Sequence, residues 1–301
     1  MFTILVIVNI IRWIFLRNDV ISDILKELNI NEKIEASIDL IGDIAVIKSP
    51  VWIKNYELEI FKKIAEKLAS RMPYVKSIWL TETPIYGIER TRKYIHLYGE
   101  RKTVTIYKEH DCSFYVDIEK SYISPRLSYE HIRIAKLVKD NEIIINMFSG
   151  IGGFSIVIAK YSNPKIIYSI DINPFSVELQ KKNVELNNLT EKIIVLLGDA
   201  REIMTRDLKN TADRVLLPLP NIDSSFYNAA LTSLRNPYGF LHIYEFEKYD
   251  GKKECAINKA YEKVKEKFLS LGWKSELIFG RIVRTVGPRK AQVVLDVYTY
   301  R

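Results

Sequence analysis

Apolar and polar positions along this chain change their spacing several times, and the changes divide it. The first sixteen residues, Met1 to Leu16, are almost all apolar, interrupted by Asn9 and Arg12. That run is shorter than the ~20 residues a bilayer span needs. No basic region precedes it and no small-residue cleavage site follows, which disfavours a secretory signal. A strand or helix buried against the following domain is the expectation; a misplaced translation start and a membrane anchor are the alternatives. Residues 18 to 34 begin on Asn/Asp and repeat apolar residues at helical spacing, which predicts a helix. Between residues 36 and 117 short alternating runs predict strands at Ile44 to Lys48, Ser77 to Leu80, Tyr94 to Tyr98, Thr103 to Tyr107 and Phe114 to Ile118, with one helix over Tyr56 to Ser70. Tyr129 to Asp140 reads as a connecting helix. From Glu142 onward strands and helices alternate, as a doubly wound sheet requires. The last strands, near Glu276 to Arg284 and Gln292 to Tyr298, have no long helix between them and predict an antiparallel pair at one sheet edge. The expected division is 1–35 as an apolar segment with a helix, 36–120 as an α+β module, and 121–301 as an α/β domain.

The alternating region carries the most informative stretch. The apolar run Ile143 to Ile145 feeds Asn146-Met-Phe-Ser-Gly-Ile-Gly-Gly-Phe154, a tight glycine turn that opens onto a helical pattern. A second apolar run, Ile166 to Ile170, ends in Asp171, and a third, Ile193 to Leu197, ends in Gly198-Asp199-Ala200. This is a βαβ unit with a nucleotide-type ligand at the carboxyl ends of its strands. Gly150 and Gly152 let the backbone approach a ligand closely, and Asp171 is placed to accept hydrogen bonds from ribose hydroxyls. Acids closing successive strands favour an adenosyl ligand. The third glycine of a dinucleotide fingerprint is replaced by Ser155, and no Lys-Ser/Thr follows to cradle phosphates. The better candidate is S-adenosylmethionine, which carries no phosphate.

Composition narrows the partner. With 48% apolar and 27% charged residues among 301, the chain reads as globular rather than disordered. A net charge of +8 and a pI near 9.1 suit an anionic partner. Cys112 and Cys255 lie far apart with no ligand at metal spacing, so no metal is expected and a reducing cytoplasm is the simple reading.

Seven segments resemble one family. They are Arg90-Thr-Arg92, Val116-Asp-Ile, Tyr122-Ile-Ser-Pro-Arg-Leu-Ser-Tyr-Glu-His-Ile-Arg-Ile-Ala135, Met147-Phe-Ser-Gly-Ile-Gly, Asp171-Ile-Asn-Pro, Gly198-Asp-Ala-Arg-Glu202 and Arg281-Ile-Val-Arg284. In this order they resemble the archaeal and eukaryotic tRNA guanine-37 N1-methyltransferases and their wyosine-forming relatives, over roughly residues 36 to 299. The Ser-Pro-Arg-Leu-Ser-x-Glu segment is the most specific, because a generic methyltransferase fold does not require it. The resemblance implies a Rossmann-like class I methyltransferase domain preceded by a smaller α+β RNA-binding module, and a cytoplasmic enzyme, expected to be a monomer, that grips the anticodon arm of tRNA. Relatives usually carry a further small domain ahead of residue 36, so the chain looks shortened.

The same resemblance assigns roles. Glu130 would be the general base and Arg90 the partner of O6 on the target base. N1 of guanine bears a proton that must leave, and the resulting charge spreads onto O6, so the chemistry asks for both. An ordinary i,i+3 pair between Glu130 and Arg133 is the competing reading. Arg92, Arg126 and Arg133 are candidate RNA contacts, with surface solvation as the alternative. Tyr122 and Phe148 would pack against the cofactor, although Phe148 also fits an ordinary core. Gly150, Gly152, Asp171, Ile172, Asp199, Ala200 and Pro218 complete the expected cofactor shell. The target base is unpaired in its loop and can swing into a pocket at modest cost.

Two positions depart from the family pattern. Asn146 stands where relatives commonly have Asp, which alters the hold on the methionine amine. After the fourth strand, N1-methylating relatives carry Asn-Leu-Pro, whereas this chain reads Leu217-Pro218-Leu219-Pro220. Proline offers neither a side-chain acceptor nor a backbone N–H. A branch of the family with proline there acts on a tricyclic wyosine precursor, 4-demethylwyosine, at carbon 7, where no N–H awaits an acceptor. The expectation is therefore carbon-7 methylation of that precursor at position 37 of phenylalanine tRNA. N1-methylation of guanine 37, alone or in addition, is the alternative, followed by aminocarboxypropyl transfer to the precursor and by a non-catalytic tRNA-binding protein.

Overall fold

The computed structural model describes residues 19–31, 34, 36–49, 55–85 and 87–301. The expectation for Met1 to Leu16 lies outside the described residues. The described chain divides into two compact units. One takes the residues up to Lys108 together with Tyr115–Pro125; the other takes Glu109–Phe114 and Arg126–Arg301.

In the first unit, α1 (Asp19–Glu27) leads to a hairpin of β1 (Ser37–Ile41) and β2 (Ile44–Lys48). Helix α2 (Asn55–Arg71) then crosses to β3 (Ser77–Thr81), which lies parallel to β2, and β4 (Tyr94–Gly99) returns antiparallel to β3. The sheet order is β1-β2-β3-β4. Its core joins Ile24 of α1 and Phe61, Ile64 and Leu68 of α2 to Ile47, Ile78 and Leu80 of the sheet. Fully burying each such side chain contributes about 1.5–3 kcal/mol. Gly42, which turns the β1–β2 hairpin at φ +58°, has no room for a side chain: a Cβ would meet Thr105 Oγ1 at 2.2 Å.

Strands β5 (Val104–Glu109) and β6 (Cys112–Asp117) form a separate two-stranded sheet. The tip of this hairpin belongs to the second unit, whose helices hold it. Glu109 Oε1 lies 2.6 Å from His131 Nδ1, and Asn187 Oδ1 accepts from the Ser113 amide at 3.0 Å. The expected boundary at 120/121 thus shifts: residues 121–125 stay with the first unit and 109–114 leave it.

The second unit contains α3 (Ser128–Ala135), β7 (Ile143–Asn146), α4 (Gly153–Tyr161), β8 (Ile166–Asp171), α5 (Pro174–Leu186), β9 (Ile193–Leu197), α6 (Ala200–Arg206), β10 (Arg214–Leu217), α7 (Ser224–Ser233), β11 (Tyr238–Lys248), α8 (Cys255–Ser270), β12 (Lys274–Gly287) and β13 (Lys290–Tyr300). The sheet runs β9-β8-β7-β10-β11-β13-β12. The first five of these strands pair in parallel, and β13 joins β11 antiparallel with β12 beyond it. The expected antiparallel edge pair is present. Strand order reverses between β7 and β10, so the loops after these two strands diverge and leave a crevice at their carboxyl ends.

Three sequence expectations need correction. The helix expected over 18–34 stops at Glu27, because Asn29 adopts φ +54° and Ile30 N–H turns back to Leu25 C=O at 2.9 Å. The connecting helix ends at Ala135 rather than Asp140. Strand β1 has no counterpart among the expected strands. Its buried Asp39, paired with Lys48 across the hairpin, breaks the apolar alternation that would have marked it.

Candidate functional site

The crevice begins where β7 ends. Gly150 and Gly152 turn the chain at φ +54° and +99°, conformations that favour glycine. Gly152 caps α4, and a Cβ there would meet Ile156 Cδ1 at 2.9 Å and Gln180 Cγ at 3.0 Å. Gly153 seats the start of α4 on His131, whose ring a Cβ would meet at 2.7 Å. Beneath the loop lies a buried polar lattice. Ser149 Oγ donates to Gln180 Oε1 at 2.8 Å, and Gln180 Nε2 donates to Ser169 Oγ. Ser169 Oγ meets Ser155 Oγ at 2.6 Å, which accepts from Asn146 Nδ2 at 3.1 Å. Asn183 Nδ2 holds Ile151 C=O at 3.1 Å. The serine in the third glycine position is thus a tether of the loop.

Asp171 closes β8 with both oxygens on backbone amides: Gly150 N–H at 2.6 Å and Asn173 N–H at 2.9 Å. Burial pushes its carboxyl up, opposed by these amides. The Ile172 amide also holds this carboxylate, and its remaining acceptor capacity suits a ligand hydroxyl. One strand over, Asp199 caps α6 and grips Arg201, whose Nε lies 3.0 Å from Oδ1. Arg201 holds the Asp199 carboxyl below its ordinary value. Arg201 in turn lies 4.6 Å over the Phe226 ring, which packs 5.1 Å from Phe148. Phe148 therefore joins an aromatic stack at the core's margin. Ala200 is buried at the start of α6, Ile172 is exposed after β8, and Pro218 follows β10 directly at the crevice.

Whether these residues suit S-adenosylmethionine turns on Asn146. It is 1% exposed, at the end of β7, and its Oδ1 is a buried acceptor with no hydrogen-bond partner. An orphaned acceptor costs about 1–3 kcal/mol, and an ammonium donor would relieve it. The cofactor brings ammonium and sulfonium cations and a ribose diol, and the crevice offers acceptors at Asn146, Asp171 and Asp199. The residues fit the group. Asn146 would take the methionine amine, Asp171 the ribose and Asp199 the adenine side.

Glu130 stands on α3, 1% exposed, with both oxygens engaged. Oε2 accepts from Arg133 Nε at 2.9 Å and from Tyr244 Oη at 3.0 Å; Oε1 accepts from Arg281 Nη1 at 2.9 Å. Two guanidiniums and a phenol surround it. Burial beside this carboxylate pushes the Tyr244 hydroxyl far up, so it remains a donor. Arg133 continues inward, with Nη1 at 2.5 Å and Nη2 at 3.1 Å from Asp296. Arg133 was expected at RNA; its guanidinium is instead held between two acids, Glu130 and Asp296, with 12% of the side chain exposed. Asp296 Oδ1 also lies 2.6 Å from His242 Nδ1, and Arg214 Nη1 lies 2.7 Å from His242 Nε2. A guanidinium can only donate, so His242 is neutral with its proton on Nδ1, and burial lowers its pKa accordingly. Arg214 ends the chain of contacts on Glu142, at 2.7 Å and 2.9 Å.

The remaining expected residues lie in the first unit or near its end. Arg90, at φ +55°, projects over the Tyr122 ring with 5.7 Å between Cζ and the centroid. Arg90, Arg92, Lys48, Tyr94 and Tyr122 line a small groove. Burial pushes the Tyr94 hydroxyl up to about 12, keeping it a donor at neutral pH. Arg126 is half-buried in the short 3-10 turn Pro125–Leu127. Among the described residues no group of three or more His, Cys, Asp or Glu is arranged to hold a metal, and no helix is long and apolar enough to cross a membrane.

A glycine loop over β7, acids closing β8 and β9, and this strand order define an S-adenosylmethionine-dependent methyltransferase domain. Residues 105–272 match the TRM5/TYW2 methyltransferase domain. The chain is 39% identical over 274 residues to the tRNA 4-demethylwyosine(37)-methyltransferase of Saccharolobus solfataricus, covering 91% of this chain and 98% of that protein. It is 33% identical to the tRNA (guanine(37)-N(1))-methyltransferase of Pyrococcus abyssi, covering 86% of this chain and 74% of the relative. The crystal structure of M. jannaschii TYW2 in complex with AdoMet superposes with a TM-score of 0.66 at 26% identity, over 88% of this chain and 100% of that one. The chain belongs to the TRM5/TYW2 methyltransferase family and is an S-adenosylmethionine-dependent tRNA methyltransferase. Sequence reasoning missed Tyr244, Asp296 and His242, whose strand positions give no signal of a common buried cluster. Arg281 was legible only as part of its motif.

Proposed function

We propose that this enzyme acts at position 37 of tRNA and methylates 4-demethylwyosine on carbon 7. Pro218 carries the reading. It directly follows β10, one of the two strands between which the strand order reverses, where N1-methylating members are expected to present an asparagine acceptor to the reacting nitrogen. A carbon nucleophile has no N–H for that acceptor to receive, so proline is compatible with it. The 39% identity to a protein named for the 4-demethylwyosine reaction supports the same reading.

When bound, S-adenosylmethionine supplies a methyl group on a sulfonium, ready for in-line displacement by a nucleophilic ring atom. The chain's own residues handle positioning and the proton. Asp171 and the Gly150–Gly153 turn fix the adenosyl half, and the Asn146 amide orients the methionine half. Arg90 places positive charge beside the base oxygen, and Arg92 and Arg126 contact the RNA backbone. Glu130 removes the proton that leaves carbon 7 once the new bond has formed. General base action of this kind contributes typically ~10²–10⁴-fold.

N1-methylation of guanine 37 is the second reading, favoured by the 33% identity to a protein named for that activity. Mass analysis of position 37 separates them, after enzyme and S-adenosylmethionine meet two tRNAs, one with plain guanine and one with the precursor. A single added methyl on the precursor alone is the expected result. A methyl on plain guanine with the precursor untouched would overturn the proline argument. An added aminocarboxypropyl group, or no change, would point to the other two alternatives.

A further inference from the structure

Glu130 as described cannot touch a substrate. It is 1% exposed and both oxygens are occupied. Taking Glu130 as the base, which rests on the reading above, one of its three partners must leave. Tyr244 is fully buried, and Arg133 has only 12% of its side chain exposed and is locked to Asp296 through two nitrogens. Arg281 is different. Its side chain is 32% exposed, and it reaches Glu130 through Nη1 alone. It lies 4.4 Å over the ring of Tyr129, itself 60% exposed.

The backbone under Arg281 is irregular in the same place. Strand β12 is an outer strand of the sheet, paired on β13, with register shifts at Leu277/Phe279 and Ile282/Arg284 on either side of Arg281. Bulges re-aim side chains and loosen local pairing, and they recur beside active sites. The adjoining β12 residues Ile278 and Phe279 are exposed. This strip therefore combines a partly exposed guanidinium, exposed aromatic side chains and, among the described residues, an outer strand of the sheet, features that suit a nucleic-acid backbone.

We infer that Arg281 is a positioning residue with two stations. Without RNA it covers Glu130; with RNA it slides along the Tyr129 face to a phosphate and frees Oε1 for the proton. The exchange keeps the guanidinium paired with an anion throughout and ties exposure of the base to arrival of the substrate. A guanidinium suits both stations because it stacks on an aromatic face while donating to an oxyanion.

The test uses the full chain and Arg281→Ala, with Arg281→Met, which keeps the stem over Tyr129, and Arg281→Lys as companions. Binding of each tRNA is measured without cofactor across a salt series, and turnover is measured with saturating S-adenosylmethionine. Removing one phosphate contact should weaken tRNA binding about tenfold and lower the salt slope by about one, with Arg281→Lys restoring the slope. KM should rise about tenfold while kcat stays within about threefold, because the cover is already gone. Unchanged affinity and slope with a fallen kcat would overturn the inference and leave Arg281 as a fixed partner of Glu130. If neither tRNA is methylated by the unaltered enzyme, the proposed reaction fails, and the salt slope still decides whether Arg281 meets RNA.

Discussion

Replacing Asp296 by asparagine tests whether the buried charges behind Glu130 govern both stability and turnover. Asp296 accepts from Arg133 at 2.5 Å and 3.1 Å and from His242 at 2.6 Å. An asparagine keeps one acceptor oxygen and turns an amide donor toward Arg133 or His242, so at least one of those donors faces a donor. Removing one partner of a buried ion pair costs about 3–5 kcal/mol; Glu130 still faces Arg133, which places the expected loss near the lower end, at about 3 kcal/mol. The ionisation of Asp296 gives an independent figure. Burial would raise its carboxyl, but His242 and Arg133 hold it down to about 2, against an ordinary 3.8. A carboxyl depressed by that amount contributes on the order of 2 kcal/mol at neutral pH. This stability is present above pH 3.8 and is lost as pH falls from there through about 2. His242, kept neutral by burial below its ordinary 6.5, adds a second acid-sensitive window that opens as pH falls under 6.5. Urea unfolding of both proteins at pH 7, followed by near-ultraviolet circular dichroism, measures the difference. Turnover at saturating substrates should fall about tenfold, since Arg133 no longer fixes Glu130, with cofactor affinity unchanged. A stability loss under about 0.5 kcal/mol, or equal losses in turnover and cofactor binding, would refute the reasoning.

Asp171→Asn should weaken S-adenosylmethionine binding about a hundredfold by calorimetry, because it loses a charged acceptor for the Gly150 amide or the ribose. Affinity within about threefold of the unaltered protein would remove Asp171 from the cofactor site. Gly152→Ala forces an L side chain into φ +99° and within 3.0 Å of Gln180; it should destabilise the loop by about 1–2 kcal/mol and lower cofactor affinity, read as a reduced thermal shift on ligand addition. Pro218→Asn restores a side-chain acceptor and should raise the ratio of plain-guanine to precursor methylation in competition assays. An unchanged ratio would mean that specificity lies elsewhere.

The alternation from Glu142 onward, the glycine turn and the acids at Asp171 and Asp199 were readable along the chain because each is local. A strand period, a residue tolerant of positive φ and an acid at a strand's end need only neighbours in sequence. They sufficed for the doubly wound sheet, its antiparallel edge and the choice of cofactor. The partners of Glu130 were not local. Arg133 is three residues away and was foreseen as a pair, but Tyr244, Arg281 and Asp296 come from β11, β12 and β13. Only the pairing of β13 between β11 and β12 brings those strands side by side. A charged residue reads as surface until the sheet shows it enclosed by partners, which is why Arg133 was assigned to RNA and the buried Asp39 concealed a strand. Local chemistry therefore decided what the domain binds. The tertiary arrangement alone decided how the base-facing carboxylate is held, because burial and pairing depend on residues more than a hundred positions apart.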